Sequence, residues 1–310
     1  MPINPLIKFI SEDRSTVPIA ELKQHLIFYL DSPPGPKTVS KVLELYFNSW
    51  GDRFVEYSST AFGSLMQPWN SQVQKQFEHN KLPDLRKVRD WGYAFSDGRG
   101  SDSWMLMFHG YKPVSEGNKA SFYRFEFDWN VDTSALKKFT VDLLKIINCV
   151  SGNGGYVFQG QPRGPNSSIS FEQIFLWAKR YWGVEVQDLD LTVQYMTDSF
   201  KCVNWLTIIG GNLAERNPRV IADAKKTAYQ SIKINENFLF QASEMPLLGD
   251  QNRNEKLEEY VALARVLEPI QVVEHDSFGN ETGPGWGKES TNAWNRRFTE
   301  PDRFVDLTCT

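Results

Sequence analysis

The chain has 310 residues, of which 41% are hydrophobic and 23% charged, a balance that excludes wholesale disorder and allows a core needing no disulfide or metal. A net charge of −4, with no lysine- or arginine-dense run, disfavours a nucleic-acid ligand and would suit a basic partner. The three cysteines, Cys149, Cys202 and Cys309, are far apart and odd in number, which points to a reducing compartment and away from a disulfide framework.

The opening Met1-Pro2-Ile3-Asn4-Pro5-Leu6 has neither the basic region nor the long apolar run of a secretory signal. No stretch reaches the ~20 apolar residues of a membrane span, so the expected location is the cytoplasm, with no membrane partner. Residues 19–30 predict a strand, broken by Asp31-Ser32-Pro33-Pro34-Gly35-Pro36. Val39, Val42, Leu43, Tyr46, Phe47 and Trp50 fall on one helical face, with Thr38 as candidate cap and Gly51 just past the end. Residues 72–79 read as a short polar helix and Arg86-Lys87-Val88-Arg89 as a solvated loop. Three strands follow, at 91–96, 103–111 and 120–129, with turn chemistry at 97–100 and 115–118 between them. In the third, Tyr123, Phe125, Phe127 and Trp129 alternate with Arg124, Glu126 and Asp128. That pattern predicts one covered and one wet face of an antiparallel meander.

In the second half, Leu136, Phe139, Leu143, Ile147 and Val150 predict a helix over 134–150, ended by Ser151-Gly152-Asn153-Gly154-Gly155 ahead of a strand at Tyr156. Ser170-Phe171-Glu172-Gln173 has capping-box spacing and should open a further helix. Residues 189–196 and 204–209 alternate like strands. Asn217-Pro218 starts a helix through Val220, Ile221, Ala224 and Ala228. A short strand at 238–242 precedes the last clear helix, marked by Leu257, Tyr260, Val261, Ala264 and Leu267 and stopped by Pro269. Residues 275–290 read as a loop, and Trp294, Phe298 and Phe304 suggest that the tail, 291–310, docks back onto the body. Strands cluster before helices, so the expected class is α+β: mainly antiparallel sheet packed with several amphipathic helices. The expected organisation is one domain over 1–310, with a candidate subdomain boundary at 161–166.

No local chemistry stands out. The four histidines, His25, His79, His109 and His275, are isolated from one another, and no C-x-x-C pair exists, so no metal set is assigned. Gly152-Asn153-Gly154-Gly155 follows a helix and precedes a strand, the reverse of a phosphate cradle. There is no G-x-S-x-G elbow. Cys149 and Cys202 lie in apolar surroundings that favour inert thiols. Glu21-Leu22-Lys23 and Asp223-Ala224-Lys225 fit a nuclease triplet but lack the upstream acid. No catalytic, cofactor-binding or metal-ligating residue is therefore assigned, and no cofactor is expected. A catalytic site assembled from scattered residues stays open as an alternative.

Several motifs occur together in a distinctive order. These are Asn204-Trp205-Leu206-Thr207 with Gly210, Met245-Pro246-Leu247-Leu248-Gly249-Asp250 with Asn252, a helix bearing Tyr260 and ending Leu267-Glu268-Pro269, and Trp294-Asn295-Arg296-Arg297-Phe298. Gly92-Tyr93-Ala94-Phe95 fits more loosely. The order resembles the TsiV-type immunity proteins of bacterial type VI secretion systems. The resemblance implies a protein that binds a cognate effector toxin, encoded by a neighbouring gene and of nuclease type, and blocks its substrate-binding surface or active site. It carries over no catalytic residues, and the shared motifs read as structural, with Trp205 a core anchor and Gly249-Asp250 a tight turn. A mildly acidic inhibitor can imitate the phosphates a nuclease binds. The acidic candidates for toxin contact are Glu126 and Asp128 on the wet strand face, Asp188 and Asp190, and Glu255, Glu258 and Glu259. A non-catalytic adaptor of the secretion system is the other alternative.

Overall fold

Strand β2 (Pro18–Leu30) is the axis of assembly: it pairs antiparallel along most of its length with β7 (Ser121–Asp128) on one side and β8 (Ser151–Gly160) on the other. The computed structural model describes residues 8–10, 18–59, 67–78, 82, 90–98, 104–111, 119–160, 167–279 and 285–308. Beyond β7 the sheet continues through β6 (Met105–Tyr111), β5 (Asp90–Ser96), β3 (Glu56–Ser59) and β4 (Gln67–Pro68). Beyond β8 it continues through β10 (Leu206–Ile209), β12 (Asn237–Gln241) and the edge strand β11 (Gln230–Ile234). β1 (Lys8–Ile10) pairs with β2, and β9 (Glu185–Val186) adds a parallel pair to β8; the other pairings are antiparallel. The predicted α+β class and the 91–129 meander are what forms.

Alternation along β2 sends Leu26, Phe28 and Leu30 to one face. There they meet Val39, Val42 and Tyr46 of α1 (Pro36–Trp50) and Leu136, Phe139 and Leu143 of α3 (Thr133–Leu144). Tyr46 stacks on Phe54 at 4.7 Å between centroids and on Phe125 at 6.2 Å, part of an aromatic cluster inside the core. Gly35, and not Thr38, caps α1, because Pro36 takes the first helical position with its φ already set. The short polar helix is α2 (Ser71–Gln76), capped by the Asn70 side chain. Farther along β2, Ala20 and Leu22 pack with Phe171 and Ile174 of α4 (Ser167–Ala178) and with Trp294 and Phe304 from α9 (Lys288–Asn295) and α10 (Pro301–Thr308), the docked tail.

Several boundaries differ from expectation. α3 stops at Leu144, six residues early, because the buried Asn237 side chain takes its end: the amide donates to Leu144 O at 3.4 Å and Ile147 O at 3.1 Å. Ser151 to Gly155 do not terminate that helix but open β8, between β2 and β10. Their glycines let strands approach: a Cβ on Gly152 would sit 2.3 Å from Ile27 O. Residues 189–196 are not a strand; they form the one-turn helix α5 (Leu189–Thr192) and turns, with Val193 and Met196 packed on Ile27 and Tyr29. α4 begins three residues before the capping-box serine. α6 (Gly211–Arg216), α7 (Pro218–Thr227) and α8 (Glu258–Leu267) complete the C-terminal half. Arg86 to Arg89, the turns at 99–100 and 115–118, the candidate boundary at 161–166, His79 and Cys309 lie outside the described residues.

Candidate functional site

The polar face of β7 is not wet. Residues 185–203 lie over the sheet there, and Glu126 is only 1% exposed. Its carboxylate meets Arg124 at 2.7 Å and Lys23 at 3.9 Å, while Lys23 also reaches Glu21 at 3.5 Å and Arg124 bonds Gln159. His25, opposite Glu126 in the ladder, is fully buried. Burial first, then the nearby charges of Arg124 and Lys201, hold its pKa well below the usual imidazole range. A second pair closes this layer: Lys201 Nζ lies 2.6 Å from Glu185 Oε1, and the Cys202 thiol donates to Glu185 Oε2 at 2.7 Å. Burial, reinforced by Glu185, pushes the Cys202 thiol up to about 12, which keeps it protonated and unreactive. Glu21, Glu126 and Glu185 face Lys23, Arg124 and Lys201, so the layer is charge-balanced. Lys23 faces Asp128 across the β2–β7 ladder and reaches diagonally to Glu126, a placing of opposite charges that favours this register over a slipped one.

The acidic candidates therefore divide. Glu126 is withdrawn from the surface by its ion pairs. Asp128 is half-buried and accepts from Trp104 Nε1 at 2.9 Å. Asp188 is 7% exposed, with Gly279 N donating to it at 3.0 Å. The Asp190 side chain lies outside the description. Glu255 is half-buried and takes the Asp250 amide at 3.0 Å. Glu258 and Glu259 are exposed in the first turn of α8, where carboxylates suit the helix dipole. The structure does not gather the six described acids into one patch. The charged layer on β2 was missed, although Glu21, Lys23 and His25 at spacing two in a predicted strand carried its signal.

The motif residues hold the fold. Trp205 is buried and donates to Ser243 O at 3.0 Å. Gly249 has φ +64°, and Asp250 next to it receives both Arg180 Nε and Nη2 at 2.8 Å, which holds its carboxyl below the usual range. Buried Arg297 donates to Trp182 O at 2.6 Å and Trp294 O at 3.0 Å and lies 4.0 Å above the Trp294 ring. His275 is sealed in too: Thr192 Oγ1 is 3.0 Å from its Nε2, and Nδ1 donates to Asp276 O at 2.6 Å. Among the described residues no group of three or more His, Cys, Asp or Glu side chains is placed to hold a metal ion, and no helix is long and apolar enough to cross a membrane.

A broad antiparallel sheet backed by helices is also the fold of a type VI secretion protein. The solved Pseudomonas aeruginosa T6SS protein PA0821 matches with a TM-score of 0.74 at 13% identity, over 95% of this chain and 87% of that one. No curated protein matches the sequence. A family profile does: TsiV, "Type VI immunity for VRR-NUC", matches residues 64–298. The chain belongs to the TsiV family of type VI immunity proteins.

Proposed function

We propose that the protein binds a VRR-NUC-type effector and neutralises it by occlusion, acting in the cytoplasm of the bacterium that makes both and performing no bond-making itself. The observation that carries this reading is the family match over residues 64–298. The architecture supports it. Among the described residues the strongly shifted groups His25, Tyr29, Tyr123 and Cys202 are buried, while Tyr195, pushed up to about 12 by partial burial and by Asp276, lines an open groove. A nuclease presents a cationic surface for phosphates, and an acidic inhibitor meets it with a fast, salt-sensitive on-rate. Glu258 and Glu259, with Glu255 beside them, are the sequence-derived acids that still face solvent.

Co-expression with the effector encoded beside it tests the reading. Growth should be restored and the two proteins should co-purify. Continued killing by an effector that does not associate with this chain would overturn it.

A further inference from the structure

Two open grooves meet at Val273. The first, about 410 Å³, lies between the turn at Tyr195–Ser199, the end of α6 and the segment Pro269–Val272. The second, about 430 Å³, lies between Val273–Glu274 and α9, with Arg303 of α10 on its wall. Val273 stands on the ridge they share and is 71% exposed, the highest among the exposed large apolar side chains described. The ridge is tightly held. Val272 N donates to Phe200 O at 2.9 Å, and the Gln271 amide donates to Lys201 O at 2.9 Å and Asn295 O at 2.6 Å. On the other side His275 N donates to Asn292 Oδ1 at 2.8 Å. An apolar side chain held out on a fixed backbone loses little entropy when a partner covers it.

Charge identifies the partner. Exposed carboxylates surround the ridge: Asp198 and Glu274 in the first groove, Glu289 in the second, Glu268 just before Pro269, and Asp276, which accepts from Tyr195 OH at 2.6 Å. The cations of the second groove are engaged within the chain: Lys288 by Glu274 at 3.0 Å, and Arg296 and Arg303 by Glu300 at 2.8 and 3.1 Å. Arg216 on the first groove's far wall is exposed. Asp198, Glu268 and Glu289 have no ion-pair partner among the described residues. The surface thus offers surplus carboxylates around an apolar anchor, the complement of a lysine- and arginine-lined face.

We infer that the Val273 ridge and its two grooves are the docking surface for the effector, receiving the cationic, phosphate-contacting face of its nuclease domain, with Val273 as the buried anchor. This rests on the proposed function and names the surface that performs it. The test measures binding of the full-length chain to the purified effector encoded beside it. Val273→Arg should weaken binding by roughly 30-fold or more, mainly through faster dissociation. Asp198→Lys/Glu268→Lys/Glu289→Lys should slow association and flatten its salt dependence. Leu176→Arg, at another exposed apolar side chain outside the grooves, should leave binding within about threefold. Circular dichroism and thermal melting confirm that each variant folds. If the wild-type chain binds and both ridge variants bind within about threefold of it, the docking assignment is wrong while the immunity reading stands. Loss of binding on Glu258→Lys/Glu259→Lys with Val273→Arg unaffected would overturn it likewise. A wild-type chain that binds no effector removes the immunity reading itself.

Discussion

Lys201 Nζ and Glu185 Oε1 are 2.6 Å apart, and neither side chain touches solvent. A buried pair of this kind is costly to break and far less costly to replace as a whole, because a lone buried charge has nothing to compensate its lost hydration. Lys201→Met alone should therefore destabilise the fold by roughly 3–5 kcal/mol in urea titration. Lys201→Met with Glu185→Leu should recover a substantial part of that loss. A single variant within about 1 kcal/mol of wild type would show the pair to be energetically idle.

Gly210, the glycine that follows the Asn204-Trp205-Leu206-Thr207 motif, has no room for a side chain. A Cβ there would lie 1.6 Å from Cys149 O and 2.9 Å from Val150 O, backbone atoms just ahead of β8, where Val150 O accepts from Gly210 N at 2.8 Å and Val150 N donates to Tyr29 O at 2.7 Å. Gly210→Ala is expected to yield insoluble or unfolded protein. Gly287→Ala, where nothing lies within 4 Å, should cost no more than about 1 kcal/mol. Comparable melting temperatures for the two variants would contradict the geometry.

Stability should fall in mild acid. Burial holds His275 at about 4, below the 6.5 of an open imidazole, so the unfolded chain takes up a proton that the folded chain refuses. Its contribution is intact above pH 6.5 and drains away as the pH falls toward 4, by roughly 3 kcal/mol at the lower end. His25, depressed for the same reason, adds in the same direction. Asp250 and Glu300 are depressed carboxylates whose contributions are lost only at lower pH, below the ordinary carboxylate range. Urea midpoints at pH 7.5, 5.5 and 4.5 measure the slope, and His275→Gln should flatten it. A midpoint constant over that range would refute the assignment.

Arg297 serves several carbonyls from one planar fork, reaching Trp182 O and Trp294 O, with Val184 O at 3.5 Å. Lysine carries the charge but cannot reproduce that geometry. Arg297→Lys should cost roughly 2–3 kcal/mol and raise amide exchange in α10, which packs through Phe304 against Trp294. Unchanged exchange there would mean the tail is held by its apolar contacts alone.

Local signals reached far in this chain. The i, i+3, i+4 spacing from Val39 to Trp50 marked α1, and alternation marked β7. Alternation on β7 showed that its two faces differ in chemistry, but not that Glu126 is covered; that depends on residues 185–203, distant in sequence. Ser151 to Gly155 misled because a glycine run reads the same at a helix end and in a crowded strand, and only the approach of Ile27 O separates the two. The edge strand β11 was overlooked because Gln230, Ser231 and Lys233 face solvent and leave no apolar pattern. The Val273 ridge was invisible for a related reason: one valine among polar residues has no periodicity, and its grooves are formed by five separate stretches of chain, within 194–199, 213–217, 269–274 and 288–296 and at Arg303.

β2 leaves the ribosome well before either strand that flanks it. Until β7 and β8 have been made, Lys23 and His25 lack their ladder partners and Glu21 has only Lys8 of β1. Topologies dominated by such distant pairings fold slowly, on the order of milliseconds to seconds. For a protein acting as proposed above, the useful stock is what has already folded, so standing abundance matters more than speed of synthesis.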